Sequence, residues 1–244
     1  MPRGAYLLNL GLTPYGEAWD LQRSLAAAVS QGAIPDTVIL LEHPPTITLG
    51  RRTEPRELHV PDGADVEVIE TDRGGKSTYH GPGQLVCYPI LDLKRHGKDV
   101  KGYCCDLERA IVATVAAYGV EATCIEGLTG VWVDSPPRKL ASIGIHISRW
   151  VTTHGYALNV DLDPAPFTQW ITACGLEDAS FTSLAREMQQ NRCQTPVVAP
   201  TLDDVRPHAA AALEAVFDLV LDELPGDEPG LWPQTLHRQL AAAP

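Results

Sequence analysis

The stretch GVWVDSPPRKLASIGIHISRWVTTHGYALNV, residues 130–160, decides the fold class. GVWV (130–133), LASIGIHIS (140–148) and THGYALNV (153–160) are rich in β-branched and aromatic residues and separated by turn-forming residues, so each reads as a short strand. VEATCIE (120–126) adds a fourth strand just ahead of them. Clustered strands that outnumber the helices predict an α+β domain, a mixed or antiparallel β-sheet flanked by α-helices, rather than a doubly wound one.

Upstream, Thr13 to Gly32 has helical spacing. Ala18, Leu21, Leu25, Ala28 and Val29 form the stripe, Thr13 is placed to cap, Pro14 suits the first turn and Gly32 ends the helix. DTVILLEH (36–43), PTITLG (45–50) and ADVEVIETD (64–72) read as strands, the last with Val66 and Val68 on one face. QLVCYPILDL (84–93) reads as a buried strand in which Pro89 implies an edge or a bulge. A second helix is expected from about Tyr103 to Tyr118, with Gly119 after its end. The C-terminal part is expected to be helical over 202–224, with Leu213, Val216, Phe217, Val220 and Leu224 inward. Asp203, Asp204, Glu214, Asp218, Asp222 and Glu223 would form its solvated face. No linker or repeat divides residues 1–244, so one domain is expected.

The chain has 44% hydrophobic and 20% charged residues, an ordinary globular balance. Its formal charge of −12 argues against nucleic acid, whose phosphates demand a basic face. Apolar runs such as Val38 to Leu41 fall far short of a membrane span, and MPRGAYLLNL lacks the features of a signal peptide, so a cytoplasmic protein is expected. Six cysteines at irregular spacing, with no C-x-x-C, read as free thiols. Cys104 and Cys105 on the second helix read as packing residues, and Cys87 is placed to line a pocket without reacting.

RGGKSTYHGPG (73–83) concentrates glycines ahead of the 84–93 strand, with Arg73, Lys76, Ser77, Thr78, Tyr79 and His80 as donors. Such composition makes either a ligand-binding turn, where main chain closely approaches its ligand, or a tight hydrogen-bonded hairpin. The spacing is neither G-x-x-x-x-G-K-[ST] nor G-x-G-x-x-G, the two nucleotide-loop patterns.

RGGKSTYHGPGQLVCYPILDL resembles the signature of the octanoyltransferases, which move an octanoyl group from acyl carrier protein onto a lipoyl-domain lysine. LLEHPPTITLGRR (40–52), GVWVD with RKLASIGIHISRWVTTHGYALNV (to 160) and ITACGLEDASFTSL (171–184) match in order. The resemblance spans about 40–184 and implies the biotin- and lipoate-protein ligase fold, in agreement with the α+β reading. It implies that Cys174, in ACGL, carries the acyl group as a thioester; Ala173 stands where family members often have proline. Exchange of one thioester for another is nearly isoenergetic, and a thiolate leaves readily when an amine attacks, so two steps and ping-pong kinetics are implied.

A thiol with a pKa near 8.5 needs a positive neighbour to ionise at neutral pH, and the resemblance assigns that part to Lys139. A unit charge about 4 Å away at an effective dielectric near 20 is worth roughly 4 kcal/mol before desolvation. Counting by twos puts Lys139 in phase with Ile143, Ile145 and Ile147, so either the strand bends or Lys139 points inward. The resemblance further assigns Arg73, Gly74, Gly75, Lys76, Ser77, Thr78, Tyr79 and His80 to substrate binding, with Ser142, Ile143, Gly144, Gly155, Tyr156 and Ala157 lining the acyl chain and its carbonyl. At Gly144 and Gly155 a Cβ would fill the groove, although ordinary strand glycines at bulges are an alternative. His80 and His154 have no third partner at metal spacing; His80 reads as orienting the pocket and His154 as packing or hydrogen bonding. Neither a metal nor another cofactor is expected.

The implied partners are octanoyl-acyl carrier protein as donor and lipoyl-domain proteins as acceptors, such as 2-oxoacid dehydrogenase E2 subunits and glycine cleavage H protein. These are usually acidic, so an acidic enzyme needs a local basic patch, for which Arg51, Arg52, Arg56, Arg73 and Lys76 are the candidates. Two other functions fit the same scaffold. An ATP-dependent lipoate- or biotin-protein ligase would need no nucleophilic cysteine, and a non-catalytic acyl-binding module would bind octanoyl chains without acquiring one covalently.

Overall fold

The computed structural model describes residues 2–134, 136–172, 180–191 and 198–224. Strands β1 (Arg3–Leu12), β2 (Thr37–Glu42), β6 (Gln84–Ile90), β7 (Thr123–Ile125), β8 (Leu128–Val133), β9 (Arg138–Ser148), β10 (Val151–Asn159), β11 (Ser180–Phe181) and β12 (Leu219–Glu223) form one mixed sheet. Its order is β12-β1-β2-β6-β10-β9-β8-β7, with β11 beside β9. β12, β1 and β2 run parallel, and the path from β2 through β6 to β7 is antiparallel. A second, three-stranded sheet holds β3 (Thr46–Leu49) between β4 (Glu67–Glu70) and β5 (Thr78–His80).

Helix α1 (Tyr15–Gln31) buries Leu21, Leu25 and Val29 against Ile39, Leu41, Val86 and Tyr88 on one face of the large sheet. On the opposite face α2 (Val100–Ala116) and α5 (Leu202–Phe217) bury Leu107, Ile111, Leu213 and Phe217 against Val38, Leu40, Leu85 and Leu158. Successive residues of β2 alternate between the two layers, which explains its unbroken apolar run. A third cluster around Ile47, Tyr79, Phe167 and Phe181 joins the small sheet to α3 (Ala165–Gln169). Helix α4 (Leu184–Asn191) anchors through Leu184, and its Glu187 accepts both Arg138 Nε and Nη2 at 2.9 Å.

Several expectations need correction. Pro14, not Thr13, occupies the cap position of α1, and the Thr13 hydroxyl donates to Gly11 O at 3.1 Å; Gly32 ends the helix with φ 72° as expected. Helix α2 begins at Val100, three residues early, because Asp99 supplies an extended residue ahead of it. The C-terminal helix stops at Phe217, where Asp218 turns left-handed (φ 55°), and the remainder becomes β12 beside β1. Val220, expected inward, is 52% exposed, and in β4 Val68 is 46% exposed because that strand lies at an edge. β1 has no counterpart in the sequence reading: its apolar residues do not alternate, since it is buried from both sides only along part of its length.

Pro89 is accommodated by a break in the β6–β10 ladder inside the sheet, neither at an edge nor at a bulge, since the register is the same on both sides of the break. β6 lies between β2 and β10, and its pairing with β10 runs from Gln84↔Asn159 to Cys87↔Tyr156, then resumes at Asp92↔Val151. In the gap His154 adopts φ 56° and its N–H donates to Gln22 Oε1 of α1 at 2.6 Å. Thr152 Oγ1 donates to Pro89 O at 2.7 Å and accepts from Leu91 N at 2.8 Å. Side chains thus replace the ladder bonds that proline cannot make. Replacing fully buried Thr152 with valine preserves shape but orphans Leu91 N–H and leaves Pro89 O only the Tyr103 hydroxyl at 3.5 Å. The expected cost is about 1–3 kcal/mol, read in urea denaturation as a lower midpoint with an unchanged slope.

Candidate active site

The glycine-rich stretch folds over the junction of the two sheets, and Arg73 holds it there. Its guanidinium is 6% exposed and donates to Thr48 O (2.6 Å), Thr48 Oγ1 (2.8 Å), Lys76 O (2.7 Å) and Gly74 O (3.1 Å). Arg73 therefore ties the loop from inside and offers no charge to the surface. Gly75, at φ 91°, reverses the chain in a region costly for a residue with a Cβ. Gly74 N–H donates to Ile145 O at 2.8 Å, which sets the loop on β9. Lys76 Nζ pairs with Glu57 and lies 3.7 Å from Glu54, and the Glu57 carboxylate raises its pKa.

Beneath this loop lies a cavity of about 350 Å³, within the range of small-molecule sites. Arg73, Gly74, Gly75, Lys76, Thr78, His80, Lys139, Ser142, Ile143, Gly144, Gly155, Tyr156 and Ala157 all line it. Two expected residues do not. Tyr79 turns away and packs edge-on against Phe167 and Trp170, with centroids 5.8 and 5.9 Å distant. Ser77 Oγ donates instead to Thr172 O at 3.4 Å. Cys174 lies outside the described residues. Of the chain on either side, Thr172, two positions earlier, is held by Ser77 and by Glu57 O, and Phe181 pairs with the cavity-lining Lys139.

The direction of Lys139 follows from a bulge. β8 and β9 pair as Val133↔Arg138 and Trp132↔Lys139, then as Val131↔Ala141, so one extra residue stands on β9. Leu140 and Ala141 both bury under α2 and α5. The alternation therefore slips by one, and Lys139 shares a face with Ser142 and Gly144 instead of Ile143. Lys139 is 3% exposed, with Nζ 5.1 Å from the Trp132 ring centroid.

The two glycines stand directly opposite one another in β9 and β10, but they do not keep the groove empty as expected. A Cβ on Gly155 would lie 2.2 Å from Cys87 O and 2.7 Å from Pro89 Cδ, so this glycine lets β10 close on β6 where Pro89 breaks the ladder. A Cβ on Gly144 would meet Arg73 Cδ at 3.1 Å and Gly74 O at 3.2 Å, so this one seats the loop.

One wall of the cavity is a set of buried rings. His154 Nε2–H donates to the Asp72 carboxylate at 2.7 Å, which leaves Nδ1 to accept from Tyr15 O–H at 3.2 Å. His43 Nδ1–H donates to Thr13 O at 2.6 Å, and its Nε2 accepts from Tyr88 O–H at 2.8 Å. His80 Nδ1–H donates to Gln84 Oε1 at 2.8 Å, and its Nε2 accepts from Thr48 Oγ1 at 3.4 Å. Burial lowers the pKa of His43 to about 4 and holds His80 and His154 below the usual histidine range. All three are neutral at pH 7. Burial pushes Tyr15 up to about 12. Histidine bonded to its neighbours is what the sequence suggested for His154; Tyr15, Tyr88, Asp72 and Trp132 carried no signal, because nothing local marks a residue that reaches the site from another element.

The cysteines differ from expectation. Cys87 is buried among core residues beside Tyr156 and does not line the cavity, whereas Cys104 does. Cys105 is exposed and packs nothing.

Residues 14–213 match the family model described as the lipoyl protein ligase A/B catalytic domain. An octanoyltransferase of Chloroflexus aggregans is 45% identical over 217 residues, covering 86% of this chain and 94% of the relative. One of Mycobacterium tuberculosis is 47% identical over 215 residues, covering 87% of each. The chain belongs to the octanoyltransferase family. Among solved structures, a lipoate-protein ligase A bound with ATP superposes with a TM-score of 0.71 at 13% identity, covering 98% of this chain and 94% of that one. A putative lipoate protein ligase from Thermoplasma acidophilum with bound lipoic acid gives 0.68 at 12% identity, covering 97% and 94%. These two share the fold, as the family resemblance implied.

The neutral rings give this octanoyltransferase a distinct acid response. An unfolded histidine takes up a proton near pH 6.5, whereas native His43 resists until about 4, so its contribution is complete above 6.5 and lost progressively as pH falls to about 4. His43 alone accounts for about 3 kcal/mol at most. Denaturant midpoints are expected to fall across that window, and His43→Phe to flatten the slope while lowering stability at pH 7. A slope unchanged by the substitution would contradict the buried neutral ring.

Proposed function

We propose that this protein transfers an octanoyl group from acyl carrier protein to a lysine of a lipoyl domain, through a thioester on Cys174. The observation that supports the reading is the cavity lined by Lys139 together with residues of 73–80, 142–144 and 155–157, the segments that the family resemblance assigns to acyl binding, with Phe181 beyond the 173–179 segment paired to Lys139. Among the described residues no helix is long and apolar enough to cross a membrane, which accords with a cytoplasmic carrier-protein donor.

In the first step the Cys174 thiolate attacks the donor thioester carbonyl, the carrier's sulfur leaves, and Lys139 Nζ supplies its proton. In the second, the lipoyl-domain amine attacks the Cys174 thioester, gives up a proton to Lys139, and Cys174 leaves as thiolate. Bond changes balance without ATP, metal or redox partner. Lys139 suits both steps because its aliphatic stem is fixed between Gly130 and the Trp132 ring. Gly130 is required there, since its φ is 110° and a Cβ would lie 2.4 Å from Ala141 O as well as 2.9 Å from Lys139 Cε.

Incubated with octanoyl-acyl carrier protein and no ATP, the wild type should gain the mass of one octanoyl group, and Cys174→Ala none. Lys139→Met keeps the buried stem and should label about a hundredfold more slowly. Full labelling of Cys174→Ala, or a requirement for ATP, would refute the thioester mechanism.

The basic patch is smaller than the sequence suggested. Arg73 is consumed inside, Lys76 pairs with Glu57, and Arg56 lies 2.9 Å from Glu54. Arg51 and Arg52 remain exposed, and Arg52 lines the cavity, so these two are the contact for the acidic carrier. Charge reversal of both should raise KM for the carrier substrate about tenfold at low salt, less at high salt, with little change in kcat. Unchanged carrier kinetics would remove the patch from the docking surface.

A further inference from the structure

We infer that the ring wall formed by Tyr15, His80, Tyr88 and His154 is the blind end of the acyl channel and sets the length of chain the enzyme transfers. This rests on the octanoyl-transfer reading and adds the orientation of the acyl group and the residues that stop it.

The cavity has two chemically different ends. At one lie Lys139, Trp132 and the hairpin residues Leu128 and Thr129, beside the strand residue Phe181 that follows the Cys174 segment. At the other lie the rings. β9 runs from Lys139 to Ile145, which pairs with His154, a separation of about 20 Å for six residues of strand. An extended eight-carbon tail covers about 9 Å, so a tail and its thioester carbonyl fit within the length between the ends.

The rings suit a tail and not a thioester. Every ring heteroatom of this wall is already matched: Tyr15 to His154, His154 to Asp72, Tyr88 to His43, and His80 to Gln84 and Thr48. What remains of the rings to face the cavity is ring carbon, and the Arg73 guanidinium, which also lines the cavity, is bonded to Thr48 and to the Gly74 and Lys76 carbonyls. The wall is also braced from behind. Tyr15 lies 4.9 Å from the His43 ring and 5.7 Å from His80, and His43 lies 5.6 Å from His80. Helix α1 presses on it through the Gln22 contact to His154 N. A packed aromatic stop yields little to an additional methylene.

The test is the ratio of kcat/KM for decanoyl- over octanoyl-acyl carrier protein, which general destabilisation does not move. Tyr88→Leu should open room for about two methylenes and raise the ratio about fifteenfold, at roughly fourfold per methylene. Tyr88→Phe keeps the ring and should leave the ratio unchanged. Tyr15→Leu repeats the test from α1 should Tyr88→Leu not fold. On the wild type, an octanoyl thioester with a photoreactive ω-terminus should crosslink to Tyr15, Tyr88 or His154. Crosslinks to Leu128, Thr129 or Cys104, or an unchanged ratio in folded leucine variants, would overturn the inference. Octanoyl transfer is measured in the same assays; its absence from the wild type would instead refute the function proposed above.

Discussion

The missing N–H of Pro89, in a strand with neighbours on both sides, is the constraint from which the site takes its shape. A central strand that cannot complete its ladder must either admit water or be repaired by side chains. Here it is repaired. Thr152 bonds both flanking backbone groups, His154 turns to positive φ and passes its N–H to Gln22, and Gly155 lets the two strands close where a Cβ would meet Cys87 O at 2.2 Å. Each repair has a consequence for function. The left-handed turn aims the His154 ring into the cavity, where Asp72 and Tyr15 fix it, and the same Asp72 begins the loop that Arg73 seats on β9.

The polarity of the cavity follows from the same economy of hydrogen bonds. Four rings form one wall with His43 behind them, and a fatty chain would be poorly served by tyrosine and histidine if their polar atoms faced it. Mutual bonding removes that difficulty, since each donor finds an acceptor within the wall or on the adjacent main chain. Burial then keeps the histidines neutral, because a charged imidazole here would lose its hydration without gaining an anion; only His154 has a carboxylate, and Asp72 is itself partly exposed. The wall combines apolar faces with a rigid hydrogen-bonded frame.

Much of the fold was legible from the sequence because it depends on local pattern. The stripe in α1, the unbroken run in β2 and the turn-bounded strands from 123 to 159 each announce themselves within a few residues. What escaped depends on partners distant in sequence. β1 and β12 are defined by one another, and no property of LVLDE alone separates a strand from the helix preceding it. The glycine-rich stretch shows the limit within the site. Its composition marked a close backbone approach, yet could not show that Arg73 faces inward while Tyr79 joins another core. Of the residues that the family resemblance assigned to substrate binding, all but Ser77 and Tyr79 line one cavity, and the close approach at Gly155 is set by Pro89 in another strand.

Lys139 shows how one residue of register connects strand geometry to chemistry. Regular alternation would place it with Ile143 and Ile145 in the layer under α2, where an ammonium would have neither water nor anion. The extra residue on β9 opposite Val131 moves it to the face carrying Ser142, Gly144 and the Trp132 ring. A lysine at the end of a bulge keeps its backbone fixed by two strands, with Phe181 on one side and Trp132 on the other, while the four-carbon side chain carries the ammonium to the Trp132 ring. Rigidity therefore resides in the strand and reach in the side chain, the division that a group serving first a carrier sulfur and then an incoming amine requires.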